Sequence, residues 1–392
     1  MKNKVIIIGA GPAGLSLACS LADTDIEITI IEKQSTKHLS SPSYDGREIA
    51  LTHLSKKILE ELGVWKRLSS KTISPIKEAK VLDGNSSYAL HFDRHKIHKK
   101  ALGYLVSNHL IRRALYKEAI TKPNIKIISD ASVVNVNTDE YSAFARLSNK
   151  KKIQAPLVVA ADSRFSPTRQ DMGISADIHD FKRVAIVCRM KHQKQHCNIA
   201  YECFHYGETL AILPLAQKNT SSIIMTIPIE TSSLFMDMNT EEFNSFITNK
   251  FNNKFGNMTL LNKRYQYSLV GVFADQFVAN RFALIGDAAV GMHPVTAHGF
   301  NLGLRGQNTL SLQIKFALEH GLDIGFLQTL ETYQLRHRRA CRSLYLGTNA
   351  IVKLYTDDSL LAKITRKIML RIGNNFIPAK KKILNQLTEI SI

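Results

Sequence analysis

The stretch Lys4-Val5-Ile6-Ile7-Ile8-Gly9-Ala10-Gly11-Pro12-Ala13-Gly14 decides the fold of the first part of the chain. Val5 to Ile8 is a compact β-branched run, the pattern of a buried parallel strand. Three glycines spaced Gly-x-Gly-x-x-Gly follow, and residues 15–22 continue as an apolar, helix-competent run. Residues 26–31 form a second β-branched run that ends at Glu32. Strand, turn, helix and strand within about thirty residues is the start of a parallel βαβ unit. Gly9 permits the tight turn, Gly11 lets the backbone approach a pyrophosphate, and Gly14 lets helix and strand pack closely. The helix that opens at Pro12 and Ala13 offers an anion free N–H groups and a positive dipole end. Glu32 can accept hydrogen bonds from an adenosine ribose. The motif predicts a bound dinucleotide and leaves open whether it is a flavin or a nicotinamide one.

Working outward, the 392 residues exceed the usual size of one hydrophobic core, so two joined domains are expected. Apolar residues at 44% and charged residues at 22% describe an ordinary globular enzyme. The net charge of +19 favours anionic partners, and no nucleic-acid-binding motif accompanies it, so no nucleic acid is expected. From Arg336 onward there are twelve Lys and Arg against three Asp and Glu. Such a basic tail, interleaved with apolar residues, fits either a solvated helical face or an anionic membrane surface. Lys363, Arg366, Lys367, Arg371 and Lys380 to Lys382 are the candidate lipid-facing charges. The five cysteines form no Cys-x-x-Cys pair, which fits a reducing cytoplasm. His196, Cys197, Cys203 and His205 lack the spacing of a metal motif, so no metal is expected. The opening apolar run is too short for a signal peptide, and no stretch reaches the length of a membrane span. Membrane contact should therefore be peripheral, at the inner face.

The remaining periodicity predicts helices over residues 49–68 and 102–120, strands over 125–128 and 132–136, and a strand over 153–161. From about 181 to 270, short alternating stretches (183–190, 200–205, 210–215 and 221–227) predict an antiparallel sheet inserted as a second domain. Residues 282–285 return to a buried strand, 299–320 read as a long helix, and the rest is helical with Pro378 as a breaker. The expected division is 1–180 and 271–330 for the nucleotide-binding part, 181–270 for the substrate sheet and 331–392 for a basic helical end.

Three further motifs decide the cofactor. Arg281-Phe282-Ala283-Leu284-Ile285-Gly286-Asp287-Ala288-Ala289 sets Asp287 just past a strand end. Residues 157–169 run Leu-Val-Val-Ala-Ala-Asp-Ser-Arg-Phe-Ser-Pro-Thr-Arg, with Asp162 at the turn. His293-Pro294-Val295-Thr296-Ala297-His298-Gly299-Phe300-Asn301 turns into a helix. Together they resemble the class A flavoprotein monooxygenases of the para-hydroxybenzoate hydroxylase type. That resemblance implies an α/β architecture: a Rossmann-type FAD-binding fold with an inserted antiparallel-sheet substrate domain and a helical C-terminus. It implies FAD, with NADPH or NADH as electron donor. It places Gly9, Gly11, Pro12, Ala13, Gly14, Glu32, Arg47, Asn108, Asp162, Gly286, Asp287, Pro294, Gly299, Phe300 and Asn301 at the cofactor. Asp287 matches the Asp that bonds the ribityl chain. Backbone N–H groups near Gly299 to Asn301 would stabilise charge on the reduced ring, and Pro294 would stiffen the wall beside it. The segment departs from the family's usual Gly-Gln-Gly turn at Ala297 and His298, and Ser163 stands where the family has glycine. An ordinary backbone at Ala297 would preserve the turn. His298 either donates toward the flavin or fills space. The plain alternatives are a surface salt bridge for Arg47 and a helix N-cap for Asn108.

Residues 103–106, Tyr201-Glu202-Cys203-Phe204, Leu213-Pro214-Leu215 and 299–305 look, together, like the ubiquinone-biosynthesis hydroxylases (UbiH, UbiF and VisC). Residues 286–300 are similar to their UbiM branch. What this implies is hydroxylation of a polyprenylated phenol by way of NAD(P)H reduction of FAD and a C4a-hydroperoxyflavin, with O2 as co-substrate. Partners would be the phenol and a membrane surface or quinone-biosynthesis complex. No catalytic side chain is implied beyond Pro294 and His298 beside the flavin. Tyr201, His205 and Tyr206 fall in the expected substrate sheet as structural residues. An FAD-dependent reductase or a non-catalytic flavoprotein of a prenyl-lipid pathway are the alternatives.

Overall fold

The computed structural model describes residues 3–390 apart from 85, 87, 206 and 358. Tyr206 therefore lies outside the described residues. The nucleotide-binding part is built on a six-stranded sheet in the order Val278–Ala279, Phe282–Leu284, Leu157–Ala160, Lys4–Ile8, Glu27–Ile31, Ile125–Ile128. All are parallel except the edge strand Val278–Ala279. The central strands are buried on both faces, as their β-branched composition requires. Helices Pro12–Leu21, Asn108–Ala119 and Gly299–Glu319 pack about the sheet, the first against both others.

A second, nine-stranded sheet forms the wall of the site. Its strands follow the order Val290–Gly291, Tyr265–Ala274, Ala176–His192, Thr220–Pro228, Glu208–Pro214, Ile199–His205, Glu78–Asp83, Ala89–Asp93, with Met258–Leu260 paired to Ala176–His192. The alternating stretches of the sequence become four of these strands. The sheet also takes in residues 78–93 from far earlier in the chain, where no clear period announced them. One face packs on Phe243, Ile247, Phe251 and Phe255. Burying each of these side chains contributes about 1.5–3 kcal/mol. The other face turns toward the nucleotide-binding part. Helices Leu327–Thr356, Leu360–Asn375 and Ile377–Thr388 complete the chain, with Pro378 in the first turn of the last, where proline costs no hydrogen bond.

Three expected elements are corrected. Residues 49–68 are not one helix: Glu48–Leu51 is a strand and the helix is His53–Glu61. Thr52 separates them, its hydroxyl accepting from Ser55 N at 3.1 Å as an N-cap. Residues 102–120 divide likewise into strand Gly103–Ser107 and helix Asn108–Ala119. These two strands pair, and a Cβ on Gly103 would come within 2.7 Å of the Leu51 carbonyl oxygen. Residues 153–161 split at Pro156 into strands Lys152–Ala155 and Leu157–Ala160, which belong to different sheets.

Candidate cofactor site and the chamber beside it

The register of the parallel sheet brings the separate motifs together. Ile8 pairs with Ala160, and Ala160 with Leu284, so the three strands end side by side. Gly9, Asp162 and Gly286 thus share the carboxyl edge, where ligands of open α/β sheets bind. Gly9 has φ +107, and a Cβ there would come within 2.5 Å of the Ala161 carbonyl oxygen. A Cβ on Gly14 would run into the Gly9 carbonyl oxygen, and one on Gly286 would approach Ala13 Cβ at 2.8 Å. Gly11 and Gly299 differ: a Cβ on either would meet nothing within 4 Å. Both stand at helix starts whose first-turn N–H groups receive no side-chain cap. Two positive helix ends facing open space are a cradle for an anion-bearing nucleotide, so the residues present fit the expected group.

Glu32 is buried and oriented by two backbone donors, Ala10 N to Oε2 at 2.7 Å and Gln34 N to Oε1 at 2.9 Å. Arg112, on the Asn108–Ala119 helix, donates to Gln34 Oε1 and stands in the fields of Glu32 and Asp45. Sequence reading missed Arg112, because nothing in its helix pattern separates it from a solvated residue. Arg47 is half-exposed and does form a salt bridge, its Nη2 lying 2.6 Å from Asp45 Oδ2. Asn108 is not the N-cap: Ser107 holds that position, and Asn108 Nδ2 donates to Asp45 Oδ2 at 2.7 Å. Burial raises the proton affinity of Asp45, but Arg47 and the hydrogen bonds from Arg47 and Asn108 outweigh it and hold the carboxyl below its usual range. Tyr265 and Tyr267 donate to the carbonyls of Tyr44 and Asp45, and Arg47 lies over the Tyr267 ring. This bolts the segment to the large sheet.

Asp162 accepts from Thr168 N and Oγ1 through Oδ2, while its buried Oδ1 has no partner among the described residues. Ser163 has φ +136, a backbone state natural to the glycine it replaces. Arg164 donates to Asp287 Oδ2 at 3.0 Å and to the Val270 carbonyl at 2.7 Å. Asp287 is thereby aimed, with its side chain still 44% exposed. Arg169 is fully buried and bonds the carbonyls of Arg164 and Ala288, which ties this loop to the 286–289 turn.

In the downstream turn, His293 is buried, and burial together with Arg183 and Arg164 pushes its proton affinity down to about 4. Pro294 opens a short 3-10 turn and is exposed. Ala297 does not keep an ordinary backbone: its φ of +53 is left-handed, the state a glycine adopts freely. His298 is buried and its Nε2 donates to the Gln386 carbonyl at 3.2 Å, so it links the turn to the last helix. Its Nδ1 is buried without a partner among the described residues. Phe300 packs partly against the core. Asn301 spends its side chain on the scaffold, accepting from Thr52 N and donating to the carbonyls of Ala50 and Ala297.

Beside this edge, the large sheet presents Ala185, Val187, Leu269, Phe181, Ile224 and Tyr267 as a small apolar cluster of its own. Ala200, Glu202, Leu213 and Ile224 alternate with residues buried on the other face but remain partly open. The wall therefore borders a hollow. At its edge lies a cavity of about 240 Å³ lined by Glu48, Ser107, His109, Arg189 and Gln217 among others. Glu48, 1% exposed at its side chain, meets Arg189 Nη2 at 2.5 Å and accepts from Ser107 Oγ. Burial still raises its proton affinity, against Arg189 and these hydrogen bonds. The alternation that marked 183–190 as a strand could have flagged Arg189, a charge on an inward position. Tyr201 packs on the far face against Phe255, in a structural role, and His205 lies on the same strand.

Two helix starts at the carboxyl edge of a parallel sheet, facing a sheet-walled hollow, define a flavoprotein of the class A monooxygenase type. Residues 2–342 match the family described as FAD binding domain, and the chain belongs to that family, with FAD as its cofactor. It is 44% identical over 392 residues to the ubiquinone hydroxylase UbiM of Neisseria meningitidis serogroup C, covering 99% of this chain and 85% of that protein. It is 30% identical to the ubiquinone hydroxylase UbiL of Rhodospirillum rubrum, covering 96% and 87%. The crystal structure of p-nitrophenol 4-monooxygenase PnpA from Pseudomonas putida DLL-E4 superimposes with a TM-score of 0.79 over 100% of both chains at 15% identity, which shows the shared fold.

Proposed function

We propose that the chain is an FAD-dependent monooxygenase that hydroxylates the aromatic ring of a polyprenylated phenol in ubiquinone biosynthesis, using NAD(P)H and O2. The supporting observation is the shared edge at which Gly11, Gly299, Asp287 and Glu32 meet beside the hollow, in a chain similar along its length to ubiquinone hydroxylases. Bound FAD, reduced by NAD(P)H, supplies the activation of O2 and its transfer to an electron-rich ring. The protein binds, orients and excludes water. Gly9, Gly11, Pro12, Ala13 and Gly14 would hold the pyrophosphate on the first helix start, with Arg112 adding charge. Glu32 would take the adenosine ribose. Asp287, with Gly286 close beneath it, would bond the ribityl chain while Arg164 keeps it aimed. Asp162 lies on the same edge with one oxygen to spare. Arg47 and Asn108, joined through Asp45, would line the flavin's flank. Gly299, Phe300 and Asn301 would stabilise charge on the ring with backbone N–H groups, and Pro294 and His298 would close the wall. The chain would divide as 1–180 with 271–330 around the cofactor, 181–270 as the substrate sheet, and 331–392 as the helical end.

The last helices would also meet a lipid surface. Among the described residues no helix is long and apolar enough to cross a membrane. On Leu360–Asn375, however, Leu361, Ile364, Ile368 and Ile372 lie along the outward face at 47–77% exposure. Lys363, Lys367 and Arg371 flank them. Arg366 does not belong to this set: it is 1% exposed and bonds the carbonyls of Leu354 and Asp357. Exposed apolar residues beside basic ones suit the interface of an anionic bilayer that holds an insoluble phenol.

Turnover under isotopically labelled O2 tests the activity. Label in the new hydroxyl supports it; label from water alone, or FAD-dependent reduction of a prenyl lipid without oxygen uptake, overturns it.

A further inference from the structure

Most ionised groups that this fold buries are visibly compensated. Asp83 faces Arg366, Glu48 faces Arg189, and Glu118 faces Arg67 and Lys122. Glu202 is different. It is partly buried on strand Ile199–His205, and no hydrogen bond or ion pair joins its side chain to any of the described residues. A carboxyl left without a partner in an apolar setting is costly, and such costs collect at sites of function.

Its direction is fixed by the strand. Tyr201 and Cys203 pack on the far face with Phe243, Ile247 and Phe255, so Ala200, Glu202 and Phe204 point to the hollow. The pairing registers set Val81, Glu202, Ala211, Ile224, Val187 and Tyr265 in one row across the sheet. Tyr265 is the residue that touches Gly46 and bonds the Tyr44 carbonyl beside Arg47. Four inter-strand steps separate Glu202 from it, about 19 Å. Between them the row is apolar and partly open at Ile224. The far end of the row is closed by the C-terminal helices: Val81 packs with Leu370 and Leu384, and the Phe204 and Tyr355 rings lie tilted together, their centroids 3.7 Å apart. Glu202 also remains partly open, so it faces the hollow instead of being packed over.

We propose that Glu202 receives the hydroxyl of the phenolic substrate, accepting a hydrogen bond from the ring O–H and taking its proton as the ring is attacked. The phenol oxygen becomes a phenolate, which enriches the ring carbons ortho and para to it, and the carboxylate becomes a carboxylic acid. The inference rests on the phenol reading above and names a residue for it. Burial alone pushes the proton affinity of Glu202 up to about 8, toward that of a phenol, which favours a shared proton. The charged and titratable groups on the surrounding elements are paired elsewhere or turned away. Asp83 is held by Arg366, Glu208 by Lys250, and Glu78 by Lys80 and His91. Cys203 points to the far face, as His205 does by the alternation of the strand, and the Tyr355 ring lies against Phe204.

The test uses the full chain loaded with FAD, with a phenol bearing a three-isoprene chain and its methyl ether as probes in detergent. Glu202→Gln and Glu202→Leu are compared with the wild type after their FAD affinity and melting temperature are shown to match it. Loss of the base should slow hydroxylation about a hundredfold in Glu202→Gln and remove the rise in rate with pH. The wild type should bind the phenol about tenfold more tightly than the ether, and Glu202→Leu should lose that preference. Variants that keep both the rate and the preference overturn the role of Glu202. A wild type that binds FAD but neither prefers nor hydroxylates the phenol overturns the substrate reading, and this inference with it.

Discussion

Gly11 and Gly14 stand three residues apart in one turn, yet their substitution by alanine should separate cofactor binding from stability. Gly14 faces protein. A Cβ there would collide with the Gly9 carbonyl oxygen and sit 3.2 Å from Ile7 Cγ2, so the helix Pro12–Leu21 would have to move off the sheet. Gly11 faces open space and has φ −73 and ψ 178, which alanine adopts without strain. Gly11→Ala should therefore leave the melting temperature of the apoprotein within about 2 °C, since the loss of a glycine N-cap, about 0.5–1 kcal/mol, is offset by about 0.4–1 kcal/mol from the less flexible unfolded chain. A methyl in the space a pyrophosphate must enter displaces at least one N–H to phosphate hydrogen bond, worth about 1.5–3 kcal/mol. FAD affinity should fall about tenfold to a hundredfold. Gly14→Ala should lower both quantities, with apoprotein stability down by about 1–3 kcal/mol. Flavin titration by fluorescence and thermal melts of the flavin-free protein read the two effects. A Gly11→Ala protein that binds FAD as tightly as the wild type would refute the placement of the nucleotide on this helix start.

Four other outcomes follow from the same geometry. His293 takes up its proton near pH 6.5 when unfolded but near 4 in the fold, so between these values the unfolded chain holds more protons and stability falls as the pH falls. His293→Asn should lessen that acid loss, about 3 kcal/mol at most, in urea melts taken from pH 7 to 4. Ser163→Gly and Ala297→Gly should each raise stability by about 0.5–1 kcal/mol, because relief of positive-φ strain exceeds the added entropy of the unfolded chain; lower melting temperatures would contradict it. Arg366→Met should cost about 3–5 kcal/mol by leaving Asp83 buried without its counter-charge, and Asp83→Leu in the same chain should recover most of it. Replacing Ile364 and Ile368 by glutamate should abolish flotation with vesicles containing anionic lipid while FAD binding persists, and unchanged flotation would move the lipid contact elsewhere.

How much of this was legible in the residues depended on whether the signal was local. Gly9, Gly11 and Gly14 declared a turn with positive φ and close helix packing, and both are found. The strand before Asp287 was equally plain, since four apolar residues precede a Gly-Asp pair. Segments 49–68 and 102–120 misled because an amphipathic helix directly follows a short strand, and the apolar period of the helix extends smoothly across the boundary. Only the pairing of Glu48–Leu51 with Gly103–Ser107, some fifty residues apart, makes either a strand. The same holds for Glu78–Asp83 and Ala89–Asp93, which join a sheet otherwise drawn from residues beyond 175. Glu202 was quoted within a family pattern, but its isolation depends on which face of the strand is covered, and that is a tertiary property.

Several irregular features of the chain lie where the separate segments meet. Asp162 Oδ1, Arg164 Nε, His293 Nε2 and His298 Nδ1 are buried polar atoms without hydrogen-bond partners among the described residues, and all lie on the loops past the carboxyl edge of the parallel sheet. Two of the left-handed or otherwise positive-φ residues, Ser163 and Ala297, lie on the same loops. Each such feature costs of order 1–3 kcal/mol, a large fraction of the net stability of a folded chain. A fold selected for stability alone would place glycine at 163 and 297 and satisfy those atoms internally. These costs, beside two helix starts that face open space, are ones that a large polar ligand would offset by meeting the unpaired atoms and holding the strained loops. Burial by one cofactor would then offset costs contributed by three distant parts of the sequence, which couples the folding of this edge to the binding of FAD.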